Sequence, residues 1–317
     1  MVGGVKGMIF YAFNLTIQFQ MSRDFFSTFR TAFRTLQSND PLRLAGATAF
    51  FASFALPPIL LILLQVMGLL FDRKHLGKQL FQRLGELVGT ESAEQVIVTL
   101  RGFRNLGKTW PVATLLFIFL LFVATTLLKV IRSSLNQLWQ IRLSEREGFV
   151  LSLMGRLRSL IVIGAAGILF LASVFTESAH AFLGTYIHDL FPNADLIFNE
   201  LFAQLVSLCI VTAWFTVLFR YLPDARPDWK VAFSGALLTG ILFSIGKFVL
   251  RRLLFGGNIG VLYGASASAV LLMLFIFYSS IIFYYGAAFT KAWSEFKQRP
   301  MQPLRNATFY ELADVEA

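Results

Sequence analysis

Six long runs of apolar residues, separated by polar connections, organise this chain. They cover about 44–71, 109–130, 159–178, 201–220, 231–250 and 261–291, and together hold about half of its 317 residues. A helix needs about 20 apolar residues to cross the roughly 30 Å hydrocarbon core of a bilayer. Backbone polar groups cannot stay unpaired in lipid, so such runs predict helices. The expected fold is an all-α integral membrane protein, a bundle of six transmembrane helices with amphipathic interfacial helices.

Between the runs the pattern changes to amphipathic. Over 22–38, Ser22 is an N-cap candidate. Phe25, Phe26, Phe29, Phe33 and Leu36 recur at helical spacing, with Arg23, Arg30 and Arg34 among the polar positions. That pattern fits a helix lying in the headgroup plane, and equally one packed on the bundle. Asn39-Asp40-Pro41 then breaks it. Residues 76–88 and 92–104 read as two short amphipathic helices capping the outer end. Residues 298–317 are polar, with Pro300 and Pro303, and are expected to fray. The organisation predicted is a cytoplasmic segment over 1–43, a membrane domain over 44–295 and a cytoplasmic tail over 296–317.

Composition agrees: 56% of residues are hydrophobic, 15% are charged, and the mean hydropathy is +0.66. The formal net charge of +10 raises the possibility of nucleic-acid binding. The positions argue against it, because Lys and Arg cluster just outside the apolar runs, where they meet lipid phosphates. Eighteen of them fall on one set of alternating segments and nine on the other. The positive-inside rule then puts both termini in the cytoplasm, the weak point being the basic stretch 72–108. No cleavable signal peptide is evident, so the first span is expected to act as its own insertion signal. Cys209 is the single cysteine and forms no intramolecular disulfide.

Candidate chemistry is sparse. Small residues recur every fourth position at Ala45, Ala49 and Ser53, at Ala236, Gly240 and Ser244, and at Gly264 and Ser268, which lets helix backbones approach closely. Pro57-Pro58 falls near the middle of the first span and predicts a kink. Lys247 is the one charge well inside a run. It lies one turn before Arg251 and either snorkels to the interface or joins Arg251 and Arg252 in an anion site for a lipid phosphate. Glu177, His180, His188 and Asp189 share an acidic loop, but their spacing matches no metal motif. No GxxxxGK[ST], GxSxG or HExxH occurs, so neither a nucleotide-driven pump nor an enzyme is indicated, and no cofactor or catalytic residue is assigned.

Phe219-Arg220-Tyr221-Leu222-Pro223-Asp224, followed by Trp229 and Gly235-Ala236, resembles the RYLPN…W…GA signature of the YihY/BrkB family of bacterial membrane proteins. Ala45 to Phe51 before Pro57-Pro58, Asn136 with Trp139, and Tyr263-Gly264 through Ser279 to Gly286-Ala287 resemble the same family. The resemblance implies a six-helix inner-membrane protein linked to envelope integrity and, in some members, lipid or lipopolysaccharide export. An older family label, ribonuclease BN, finds no acidic metal cluster here to support it. The family often carries Gly-Ala-Glu in the last helix, where this chain has Gly286-Ala287-Ala288, and often Trp where it has Phe275. The functional expectation is a transporter-like protein handling an amphipathic, anionic envelope lipid. Lys247, Arg251, Arg252, Arg220, Tyr221 and Tyr263 are the binding candidates. Pro57, Pro58, Pro223, Gly235, Gly240, Gly264 and Gly286 are the structural or gating candidates. The alternative is a membrane scaffold that docks envelope proteins. Expected partners are membrane lipids, not nucleic acid.

Overall fold

The computed structural model describes residues 26–67, 85, 93–94, 96–98, 110–143, 164–165, 168–169, 195–254, 267–304 and 307–310. Its long elements are helices: α1 over residues 26–37, α2 Pro41–Met67, α3 Trp110–Leu138, α4 Asp195–Tyr221, α5 Trp229–Leu254 and α6 Ala267–Phe296. Four short strands accompany them: β1 Ile141–Leu143, β2 Ala225–Arg226, β3 Gln302–Pro303 and β4 Ala307–Phe309.

The helix boundaries follow local chemistry. Pro41 opens α2, where its missing N–H is no loss. Asp228 precedes α5 and accepts the Trp229 N–H at 2.9 Å, a negative charge at a helix N-terminus. α6 closes with Gln298 in the left-handed region (φ 52°). The Arg299 N–H reaches the Ser294 carbonyl and the Gln298 N–H reaches that of Glu295, the paired bonds of a Schellman end.

Among the described residues, three helices are long and apolar enough to cross a membrane, in segments Gln204–Tyr221, Trp229–Leu250 and Ala269–Phe296. α2 and α3 are helices of 27 and 29 residues over the first two apolar runs. Most of the third run lies outside the described residues. α4 starts at Asp195, six residues before the apolar run it contains, so the end of the acidic connection is helical. The helix assignment of α2 continues through Pro57-Pro58.

The helices pack in the order α4, α5, α6, α2, α3, each against the next. Their outer faces are apolar: Phe54, Leu115, Phe119, Ile245 and Phe248 are all more than half exposed. A water-soluble surface rarely shows apolar patches of this extent, whereas lipid accepts them. Inside, Phe215, Phe219 and Phe283 form an aromatic cluster with ring centroids 5.2–6.3 Å apart.

α5 and α6 cross through a reciprocal exchange of small and hydroxylated residues. A Cβ at Gly235 would collide with the Thr290 side chain, and one at Gly286 with the Thr239 side chain. Each threonine donates its hydroxyl to the glycine carbonyl one turn earlier on its own helix, Thr239 to Gly235 and Thr290 to Gly286, both at 2.7 Å. Two Gly-xxx-Thr steps therefore interlock. Gly240 meets Thr212 and Leu208 of α4 in the same manner.

One end of the bundle is closed by chain segments far apart in sequence. β1 pairs antiparallel with β4 and β2 with β3, so residues 301–310 clasp both the turn after α3 and the loop after α4. This overturns the expectation that the chain frays from residue 298; buried Met301 and Ala307 anchor the clasp. α1 packs across the same end through buried Thr28, Ala32 and Leu36, while Phe26 and Phe33 stay exposed. The buried face accords with the reading of a helix packed on the bundle. The expected outer helices 76–104, Tyr263, Gly264 and the segments 1–25 and 311–317 fall wholly or mostly outside the described residues.

Gly286→Ala should lower stability by about 1–3 kcal/mol, the range for overpacking a tight contact. Adding Thr239→Ala should restore part of it, a coupling readable in thermal unfolding of the detergent-solubilised protein. Additive losses would show that the two helices do not interlock there.

Candidate functional site

At the closed end a single carboxylate gathers three chain segments. Arg132 and Asn136 stand one turn apart on α3, so they share a face. Asp224 approaches from the loop between α4 and α5 and is 2% exposed. Its Oδ2 accepts the Arg132 Nε–H at 2.8 Å and the Asn136 amide at 2.6 Å, while Oδ1 accepts the second arm of the guanidinium at 2.5 Å. This is a bidentate Arg–carboxylate fork. Asn136 Oδ1 accepts the Asp224 backbone N–H at 2.9 Å, and the Asp224 carbonyl accepts the Leu304 N–H at 2.9 Å. The buried charge is thus paired and both of its oxygens are hydrogen-bonded.

The same face holds two more cross-helix bonds. Trp139 donates its indole N–H to the Ala287 carbonyl at 2.9 Å. The hydroxyls of Thr48 and Tyr284 lie 2.5 Å apart. Residues from four separate stretches of the family resemblance therefore meet at one place: Thr48, Asn136 with Trp139, Asp224, and Tyr284 with Ala287. Ala288, where the family often carries Glu, is fully buried among apolar neighbours.

The expected binding residues separate into two groups. Arg220 donates to the Pro227 carbonyl and sits 5.2 Å over the Trp229 ring, and the Tyr221 ring meets the same indole edge-on at 6.0 Å. Both hold the loop's shape, together with buried Pro223. Lys247 lies far along α5 from that loop, its Nζ 5.6 Å over the Phe243 ring. Arg251 and Arg252 continue the helix one turn on, their side chains outside the described residues. Basic groups of the two sets do not come together.

Arg132 was missed as a site residue because it reads as one more basic residue flanking a span. Its spacing to Asn136, beside an Asp in the signature where Asn is usual, is the signal that was available. Among the described residues no group of three His, Cys, Asp or Glu gathers to hold a metal ion.

Nearby, Arg299 pairs with Asp228 at 2.5 Å and tethers the chain after α6 to the start of α5. That hydrogen bond, with the Trp229 N–H, holds the Asp228 carboxyl below its usual range. A carboxylate with a depressed folded pKa lends its tether only above its unfolded value and loses it as pH falls through the folded one. The tether should therefore release below about pH 4, detectable as faster proteolysis near Arg299, and Asp228→Asn should release it at neutral pH. Asp224→Ala is a more severe change. It leaves Arg132 unpaired and should cost on the order of 3 kcal/mol, seen as a lowered melting temperature or loss of folded protein, whereas Arg132→Lys should cost less.

A family model described as virulence factor BrkB matches residues 32–308. A UPF0761 membrane protein of Pseudomonas paraeruginosa is 26% identical over 77% of this chain and 57% of its own length. A UPF0761 membrane protein of Tolumonas auensis is 24% identical over 80% of this chain and 81% of its own. The chain thus spans little more than half the length of the Pseudomonas relative. No solved structure is similar. With its apolar helices and a match over nearly the whole chain, the protein is membrane-embedded and belongs to the virulence factor BrkB family.

Proposed function

We propose that this is a six-helix inner-membrane protein, both termini cytoplasmic, that handles or moves an amphipathic anionic envelope lipid without using nucleotide itself. The observation that carries this reading is the setting of Lys247. It is half-buried against Phe243, and its neighbour Phe248 is 74% exposed on the apolar face. A cation beside a lipid-facing aromatic suits a molecule with a charged head and apolar chains. Arg251 and Arg252, one turn further, extend the charge toward the interface. The division of labour proposed is headgroup binding at Lys247, Arg251, Arg252 and Tyr263, with Arg220, Tyr221 and Pro223 shaping the opposite loop.

A scaffold that docks envelope proteins is the second reading. It is supported by the clasped base, where the strands at 302–303 and 307–309 pair with the segments after α4 and α3.

Each basic residue near a membrane surface contributes about 1 kcal/mol toward anionic lipid. Lys247→Ala with Arg251→Ala should then slow movement of an anionic fluorescent lipid in reconstituted vesicles by roughly 30-fold. An unchanged rate would end the transport reading. A stoichiometric partner recovered by crosslinking would then favour the scaffold.

A further inference from the structure

A polar cavity of about 270 Å³ lies where α1 crosses the last turns of α6, at the clasped end of the bundle. Thr31 and Thr35 line it from α1, Ser38 and Asn39 from the turn after α1, Gln140 from the turn after α3, and Lys291 and Glu295 from α6. Among the described lining residues, Ala292 alone has no polar side chain. Lys291 donates to Gln140 Oε1 at 2.6 Å, which uses one of its three N–H groups. Gln140 is held in the left-handed region (φ 56°), at a helix-end position where Gly is the usual residue. Its carbonyl accepts the Tyr310 N–H at 3.0 Å, so the clasp fixes the turn that presents it.

Charge and position together narrow the occupant. Lys291 and Glu295 stand one helical turn apart, about 5–6 Å between Cβ atoms. The two-carbon arm that joins a phosphate to an amine spans a gap of that order. The ammonium and the hydroxyls of α1 suit a phosphate, and the exposed Glu295 carboxylate suits an amine. An adjoining cavity of about 240 Å³ shares Thr31, Ala292 and Glu295 with it and is lined also by Ser27, Thr28 and Phe296; Phe26, next in the chain to Ser27, is 69% exposed. The polar cavity therefore opens toward the apolar face of a helix at the bundle's end, where lipid chains would lie.

We propose that this cavity is a headgroup site for an ethanolamine phosphodiester, drawn from the membrane as phosphatidylethanolamine. Lys291 and the α1 hydroxyls take the phosphate and Glu295 takes the ammonium. An N-trimethylated head cannot donate a hydrogen bond to Glu295, and an uncharged glycerol head brings it no ammonium. The site stands apart from Lys247 and does not require that the protein move lipid. Its occupant would tie α1 to α6 at the interface.

Native mass spectrometry of the full chain in mild detergent tests it. Phosphatidylethanolamine, phosphatidylcholine and phosphatidylglycerol of equal chain length are supplied in turn, and then water-soluble glycerophosphoethanolamine. The ethanolamine lipid should be retained about tenfold more than the other two. Lys291→Met should reduce that retention about tenfold and Lys291→Arg should keep it. Glu295→Gln should remove the preference for ethanolamine over choline, while Lys247→Ala should leave it unchanged. Equal retention of the three lipids by the wild type overturns the assignment, as does an unchanged preference in Glu295→Gln. Displacement by the soluble head at equal concentration overturns the membrane as the source. If Lys291→Met does not fold, Thr35→Val carries the same test, and its binding wild-type amounts counts against the site.

Discussion

The Asp224 carboxylate, buried between Arg132 and Asn136, is the constraint on which the base of this bundle depends. Taking a carboxylate and a guanidinium out of water costs several kcal/mol per ion, recovered only when geometry and hydrogen bonding are nearly complete. Here they are: both oxygens are used, and the backbone on either side of the charge is bonded as well. α3 and α4 are neighbours of different helices in the packing order, and the Asp224 loop ties them at one end. The β2–β3 and β1–β4 pairs then rest on segments that this interaction already holds in place.

Above the base, cohesion changes character. Within lipid, helices gain little from burying apolar surface against one another, so close backbone approach and hydroxyl bonds carry more of the association. The Gly235–Thr290 and Gly286–Thr239 contacts are of that kind. The aromatic cluster of Phe215, Phe219 and Phe283 fills space between α4 and α6, while other phenylalanines turn outward. One residue type thus serves as core filler and as lipid contact.

Much of the fold was legible in the sequence. The apolar runs marked the long helices, Asn39-Asp40-Pro41 marked the break before α2, and the signature marked the loop that carries Asp224. Gly240 was singled out by its small-residue spacing and Gly235 and Gly286 by the family resemblance, and each faces a threonine too closely for a larger residue. The strands over 302–309 were not legible. Two and three residues with prolines give no alternating pattern, and their pairing partners lie 77 and 166 positions away. The Arg132–Asp224 pair was hidden for a related reason. A contact across 92 residues leaves no periodic trace, and an arginine at a helix end already has an ordinary explanation in topology.

The clasp has a consequence for biosynthesis. Every described helix precedes residues 301–310 in the chain, yet those residues pair with turns made some 75 to 170 positions earlier. The helices enter the membrane while the ribosome is still translating, so the base of the bundle stays open until this later stretch has been made. During that interval Asp224 lacks its Leu304 partner and Gln140 lacks Tyr310. Assembly is therefore timed by a stretch that follows every described helix: insertion comes first, and closure follows as a separate, later event.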